Sequence, residues 1–289
     1  MKRIIPFVAA VLVALSAQAQ TVNIRLNDGN IVKYFASEVE KIDFTRALSA
    51  PEGLEAVDLG LPSGTKWANM NVGATSVTET GLHFAWGETT GYGSDPSDGR
   101  SFDWESYEWS DVNVTTQKRM KKYNETDGKT ILDPEDDAAT VNWGSDWRMP
   151  TLEEIIELVL TQQNTKDYEW TWCDGVNVKY EGSSVIGWKV MSKKAGTAGN
   201  HIFLPGGPWR CNDEVRWEGT STINPDDEKL KALKGSYLSS ELGVRESIRP
   251  CHAYKLYLYD GTDTESNYLK VNVGNGNVEF GNMVRPVHN

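Results

Sequence analysis

Four histidines, three cysteines and 41 acidic residues are the groups through which this 289-residue chain could do chemistry. A thiol acts as nucleophile or metal ligand only when ionised. Cys173, Cys211 and Cys251 stand apart, with no Cys-x-x-Cys and no paired histidine, so no structural zinc site is spelled out. Cys211–Cys251 is the disulfide pairing favoured slightly, because both lie in the loop-rich C-terminal third, leaving one thiol over. His83, His201, His252 and His288 are single and dispersed, which gives a metal no imidazole cluster. His83 is read as a partly exposed strand residue. Hard cations such as calcium want several oxygens, and Asp133, Glu135 and Asp136, followed by Asp137, form the densest oxygen cluster. The competing reading is a solvated helix start whose acids complement the helix dipole. Asp260, Asp263 and Glu265 are a second, weaker group without EF-hand spacing. Glu88 follows Trp86, yet core or turn support outweighs catalysis there. No Gly-x-Ser-x-Gly and no phosphate loop occurs, and no cofactor is required by any motif.

The elements that must position these groups begin with an export signal. Lys2 and Arg3 precede an apolar run from Ile4 to Leu15, and Ala17-Gln18-Ala19 offers small residues ahead of Gln20. That run, about 12 residues, is too short to span a bilayer, which takes roughly 18 or more. Residues 1–19 are thus read as a cleaved signal peptide, and no lipoprotein cysteine lies near the cut. Losing Lys2 and Arg3 leaves the chain, already at −12, more acidic still, which disfavours nucleic acid and anionic lipid as partners. No later stretch reads as a transmembrane segment.

Residues 20–46 read as a short module. Val22 to Leu26 alternates, Asn27-Asp28-Gly29-Asn30 is a turn, and Ile31 to Phe35 resumes a strand, a hairpin signal. A capped helical turn at 37–40 and a brief strand at 42–44 should follow, and residues 47–53 read as a linker. The domain from 54 to 289 opens with short strands and continues into a Gly/Ser/Asp-rich excursion over residues 89–130 carrying Tyr92, Phe102, Trp104, Tyr107 and Trp109. Thr151 and Glu154 spell a capping box, and Leu152, Ile155, Ile156 and Val159 place one face of a helix at 152–163 in the core. Strands are expected at 185–191, 201–204, 253–259, 268–273, 277–280 and 283–287, with Gly274-Asn275-Gly276-Asn277 as a hairpin turn. Trp170-Thr171-Trp172 is read as alternating across a strand, one ring in the core and one at the surface. Few helices and many short strands predict an α+β fold.

Several motifs then resemble one family. Val57-Asp58-Leu59-Gly60-Leu61-Pro62-Ser63-Gly64-Thr65-Lys66-Trp67-Ala68 is similar to the opening of exported Bacteroidetes proteins related to the Fibrobacter succinogenes major paralogous domain. Asn71-Val72-Gly73-Ala74, Phe84-Ala85-Trp86-Gly87-Glu88, Asp136-Asp137-Ala138-Ala139, Trp147-Arg148-Met149-Pro150-Thr151, Ile202-Phe203-Leu204-Pro205 and Val284-Arg285-Pro286-Val287 continue the resemblance in order. It implies a C-type-lectin-like domain: two helices, a small twisted antiparallel sheet and long loops carrying ligand contacts, preceded by the β-hairpin module. The Trp-Arg-Met-Pro-Thr helix start is also similar to that of formylglycine-generating enzymes and of phage and retroelement-diversified binding proteins. The chain departs from the pattern at Tyr237-Leu238-Ser239-Ser240-Glu241, where Leu238 replaces an aromatic, and at the charged insertion from Pro225. Both departures fall on the presumed loop face. The chemistry needed for the oxidase role has no matching cysteine motif here. What remains is an exported, non-enzymatic binding protein whose C-terminal loop face, through Trp209, Arg210, Trp217, Tyr237 and Arg245, takes a glycan or a surface protein. Aromatic rings beside polar groups stack on sugars and also dominate protein-binding hot spots. The alternative is an assembly subunit, a tip or cap of a surface appendage docked through the hairpin; a divergent envelope enzyme comes third.

Overall fold

A computed structural model describes residues 21–25, 31–35, 48–112, 119–216, 233–243, 251–261 and 271–289. The chain divides into two compact units, Met1–Arg46 and Ala47–Asn289. In the first, β1 (Thr21–Arg25) pairs antiparallel with β2 (Ile31–Phe35), Asn23 opposite Lys33. Ile31, Tyr34 and Phe35 of β2 are exposed. The helical turn and third strand expected at 37–44 lie outside the described residues.

The second unit corrects the fold class. It is mostly β, built from four small antiparallel sheets, and among the described residues one helix is longer than six residues. The two-helix α+β, lectin-like expectation therefore fails. Its physical reason is that only one segment carries apolar residues at helical spacing for long enough. α1 (Ala138–Trp143) starts well, since Asp137 accepts from the Ala139 and Thr140 amides, but Gly144 at φ 94° ends it after six residues. α2 (Leu152–Leu160) has the full capping box of Thr151 and Glu154. It buries Ile155, Leu158 and Val159, whereas Ile156 turns outward, so the buried face is rotated from the expected one. Each of those three side chains contributes about 1.5–3 kcal/mol by leaving water.

The strands close around this helix. β3 (Ala56–Asp58) and β4 (Lys66–Ala68) form a sheet with β5 (Trp147–Arg148) and β14 (Val287–His288), in the order β3-β4-β14-β5. Val287 is opposite Trp67 on one side and Arg148 on the other. β6 (Tyr168–Asp174), β7 (Ile186–Ser192) and β8 (His201–Pro205) form a meander, and β9 (Trp209–Cys211) with β10 (Glu214–Arg216) a short hairpin. β11 (Leu233–Leu242), β12 (His252–Tyr259) and β13 (Val271–Asn277) complete a third meander. Among the described residues no helix is long and apolar enough to cross a membrane.

Three local expectations are overturned by packing. Trp170 and Trp172 share a face, because residues two apart on a strand point the same way; both rings pack on Trp188, at 6.2 and 5.3 Å between centroids. Gly274, Asn275, Gly276 and Asn277 are not a turn but the end of β13, paired with Lys255, Tyr254, Ala253 and His252. A side chain at Gly274 would meet the Tyr257 ring at 2.4 Å, so the glycine makes room for the ring. Residues 48–53 belong to the second unit rather than to a linker: the Leu48 amide donates to Asn142 Oδ1 at 3.0 Å, and the Leu48 side chain packs on the core.

One buried arginine ties the sheets together. Arg285 donates to Asn71 Oδ1, the Ala68 carbonyl and the Phe203 carbonyl at 2.7–2.8 Å, linking β4 and β8 to the approach to β14. Burial pulls its pKa down to about 10, although the neighbouring Tyr237 partly offsets this.

Candidate functional site

The excursion after Glu88 is held down by two arginines. Arg100 clasps Glu88 at 2.7 and 2.8 Å through Nη2, and Glu88 also accepts from the Glu108 amide at 2.9 Å. Burial pushes the Glu88 carboxyl above the usual carboxylate range, and Arg100 pulls it back. Arg210 reaches from β9 with no exposed surface. Its Nη1 and Nη2 meet the Asp98 carboxylate at 2.6 and 3.1 Å, and the Gly93 and Arg100 carbonyls at 3.2 and 2.7 Å. A guanidinium suits this work because its planar fork satisfies a carboxylate and several carbonyls at once. Phe102 completes the seam: its backbone bridges Asn212, and its ring lies against Gly281 and under the Arg210 guanidinium, 4.9 Å away.

This clamp leaves Tyr92, Trp104, Trp109 and Trp209 half-buried, with part of each ring facing solvent. Trp109 Nε1 donates to the Gly87 carbonyl at 2.9 Å, which fixes the ring. The face is therefore ordered, aromatic and polar, the composition that stacks on sugars or anchors a protein. His83 lies beneath it, fully buried rather than partly exposed. Its Nε2 sits 2.9 Å from the Pro208 carbonyl, and burial lowers its pKa, so the ring is neutral.

The predicted site residues separate. Trp209 is on this face. Arg210 and Tyr237 are not: both are buried, Arg210 as the clamp and Tyr237 within β11, its hydroxyl donating to the Pro205 carbonyl at 2.6 Å. The 237–241 segment is strand rather than loop, so its side chains meet the core. Trp217 and Arg245 lie outside the described residues. The calcium candidates are brought together, around an ammonium. Lys122 Nζ is 2.8 Å from Asp133, 3.6 Å from Glu135 and 2.5 Å from Asp136, while Lys129 takes Asp133 at 2.6 Å. Burial works against the Lys122 charge, but Asp133 and Asp136 outweigh it and hold its pKa above the ordinary range. The position a cation would take is thus filled by Lys122. Among the described residues no three His, Cys, Asp or Glu side chains are arranged to hold a metal.

The favoured Cys211–Cys251 disulfide is not formed; the three cysteines are buried thiols. Burial raises the Cys173 thiol, which leaves it un-ionised near neutrality.

Sequence reading missed a third cluster. Lys255 on β12 is 2 % exposed, and its Nζ donates to the Asn277 carbonyl at 3.0 Å, 5.9 Å from the Phe280 ring centre. The Asn277 carboxamide donates to Glu279 Oε1 at 2.9 Å, and Glu279 is itself 2 % exposed. Burial pulls the Lys255 amine down to about 7, against the opposing charges of Glu279 and Cys211. A signal existed: Lys255 sits in phase with Ala253 and Tyr257 on an apolar strand, opposite a glycine.

No family model, curated protein or solved structure matches this chain.

Proposed function

We propose that this is an exported, non-enzymatic binding protein that takes a glycan or a surface protein on the aromatic face of residues 89–112 and the β9–β10 hairpin. The observation that carries this reading is the clamp: two buried arginines hold in place a long segment of little regular structure whose rings remain partly open to solvent. Long loops of that kind inside a compact unit are kept for function. The resemblance of the Val57–Ala68 and Trp147–Thr151 motifs to exported Bacteroidetes proteins, and the charge-then-apolar start of the chain, support export.

The test is a glycan and surface-protein array with the chain lacking residues 1–19, repeated with Trp104→Ala and Trp209→Ala. Capture should fall at least tenfold in the variants, about 1.4 kcal/mol or more. Capture that survives both substitutions would place the ligand elsewhere. A second reading, assembly into a surface appendage, is favoured by the exposed Ile31, Tyr34 and Phe35 of β2; self-association abolished by Tyr34→Ser would select it.

A further inference from the structure

We propose that Lys255 and Asn277 join in an intramolecular isopeptide bond, with Glu279 as the proton carrier. The inference concerns the buried cluster between β12 and β13 and stands apart from the ligand face.

Three requirements of the reaction meet here. The nucleophile must be an uncharged amine, and Lys255 loses its proton readily because water is excluded around it. The electrophile must be held close: Nζ already touches the main-chain carbonyl of residue 277, and the side-chain Cγ of that same residue is three covalent bonds from that carbonyl carbon. The leaving group must be protonated as it departs, and the Asn277 Nδ2 is already hydrogen-bonded to a carboxyl group, Glu279 Oε1. Gly276 supplies the space, since the Cβ position of any other residue there would lie 3.3 Å from Nζ. Phe280 covers the cluster and keeps water from competing for the carbonyl carbon.

The step balances without an added reagent. The Nζ lone pair attacks Asn277 Cγ and forms the new C–N bond. Glu279 takes a proton from Nζ and delivers it to Nδ2. The old Cγ–Nδ2 bond breaks and ammonia leaves, so an amine and a carboxamide become a secondary amide. Nothing is oxidised or reduced. Holding two reactants in one sealed site supplies an effective concentration no solution reaches, which lets a reaction this slow in water proceed once per molecule.

Peptide mapping of the purified full chain tests the proposal. Expected is a branched peptide joining residues 255 and 277, lighter than its two linear parts by one ammonia, with trypsin unable to cut after Lys255. Loss of ammonia alone does not count, because cyclisation of Gln20 at a new amino terminus or of Asn277 itself gives the same mass. Lys255→Met and Asn277→Ala should lack the branched peptide. Glu279→Gln should form it at least about a hundredfold more slowly, the usual worth of a positioned proton carrier. A wild-type digest in which linear peptides account for all of Lys255 and Asn277 overturns the bond. A branched peptide appearing in Glu279→Gln at the wild-type rate overturns the role of Glu279.

Discussion

Replacing Arg210 with methionine removes the guanidinium while keeping most of the side chain's apolar length, so little cavity is left. Four hydrogen bonds go with it: two to Asp98, and one each to the Gly93 and Arg100 carbonyls. Removing one member of a buried ion pair costs about 3–5 kcal/mol, chiefly because the other charge is stranded. Asp98 is partly solvent-exposed and can rehydrate, so the lower figure, about 3 kcal/mol, applies. The loss should fall on the excursion, since all four acceptors lie between residues 93 and 100. An opening free energy lowered by that amount speeds amide exchange there about a hundredfold. Hydrogen exchange read by mass spectrometry on peptides from 93–112, with α2 as the internal reference, measures this. Asp98→Asn and the double variant complete a cycle whose coupling should exceed about 1 kcal/mol. If exchange in 93–112 stays within about threefold of wild type, or coupling vanishes within roughly 0.3–0.5 kcal/mol, the clamp argument is wrong.

Three further outcomes follow from the packing. Gly274→Ala should destabilise the chain by about 1–3 kcal/mol in urea unfolding, because the new methyl group overlaps the Tyr257 ring; a neutral result would mean that the ring is free to move. In Asn277→Ala the Lys255 amine stays free, with its folded value lowered to about 7. The unfolded chain then binds more protons than the folded one from pH about 7 to about 10, so stability should climb with pH through that window. Urea midpoints at pH about 6.5 and about 8.5 decide it, and a flat or falling profile contradicts a buried neutral amine. Finally, thiol titration should find Cys173, Cys211 and Cys251 silent in the native chain and all three reactive after unfolding without reductant; fewer than three reactive thiols would show that a disulfide forms.

Features encoded locally were legible in the sequence. The Thr151–Glu154 capping box, the Asp137 cap and the alternation of Ile31 to Phe35 are each specified within a few residues, and each has its counterpart in the structure. Features that depend on distant partners were not. Gly274-Asn275-Gly276-Asn277 has the composition of a turn, and only the Tyr257 and Lys255 side chains across the ladder make it a strand. Arg210 looked like a ligand contact because arginine beside tryptophan suits binding; Asp98, far away along the chain, turns it inward. Asp133, Glu135 and Asp136 suggested a metal until Lys122 arrived from a preceding loop with the charge already supplied. The two-helix expectation came from a resemblance, and it failed because α1 is stopped by Gly144 and aromatic sheets fill the space a second long helix would need.

The place of β14 has a consequence in time. Val287 and His288 lie between β4 and β5, so the strands at 56–68 cannot be joined to residues 147–148 until almost the whole chain has been synthesised. Pairings this distant along the chain form slowly, because the closure entropy is met before any contact offsets it. A polypeptide whose central strand is among its last residues stays threadable while it is being made, which suits a molecule that must pass through a narrow channel before it folds.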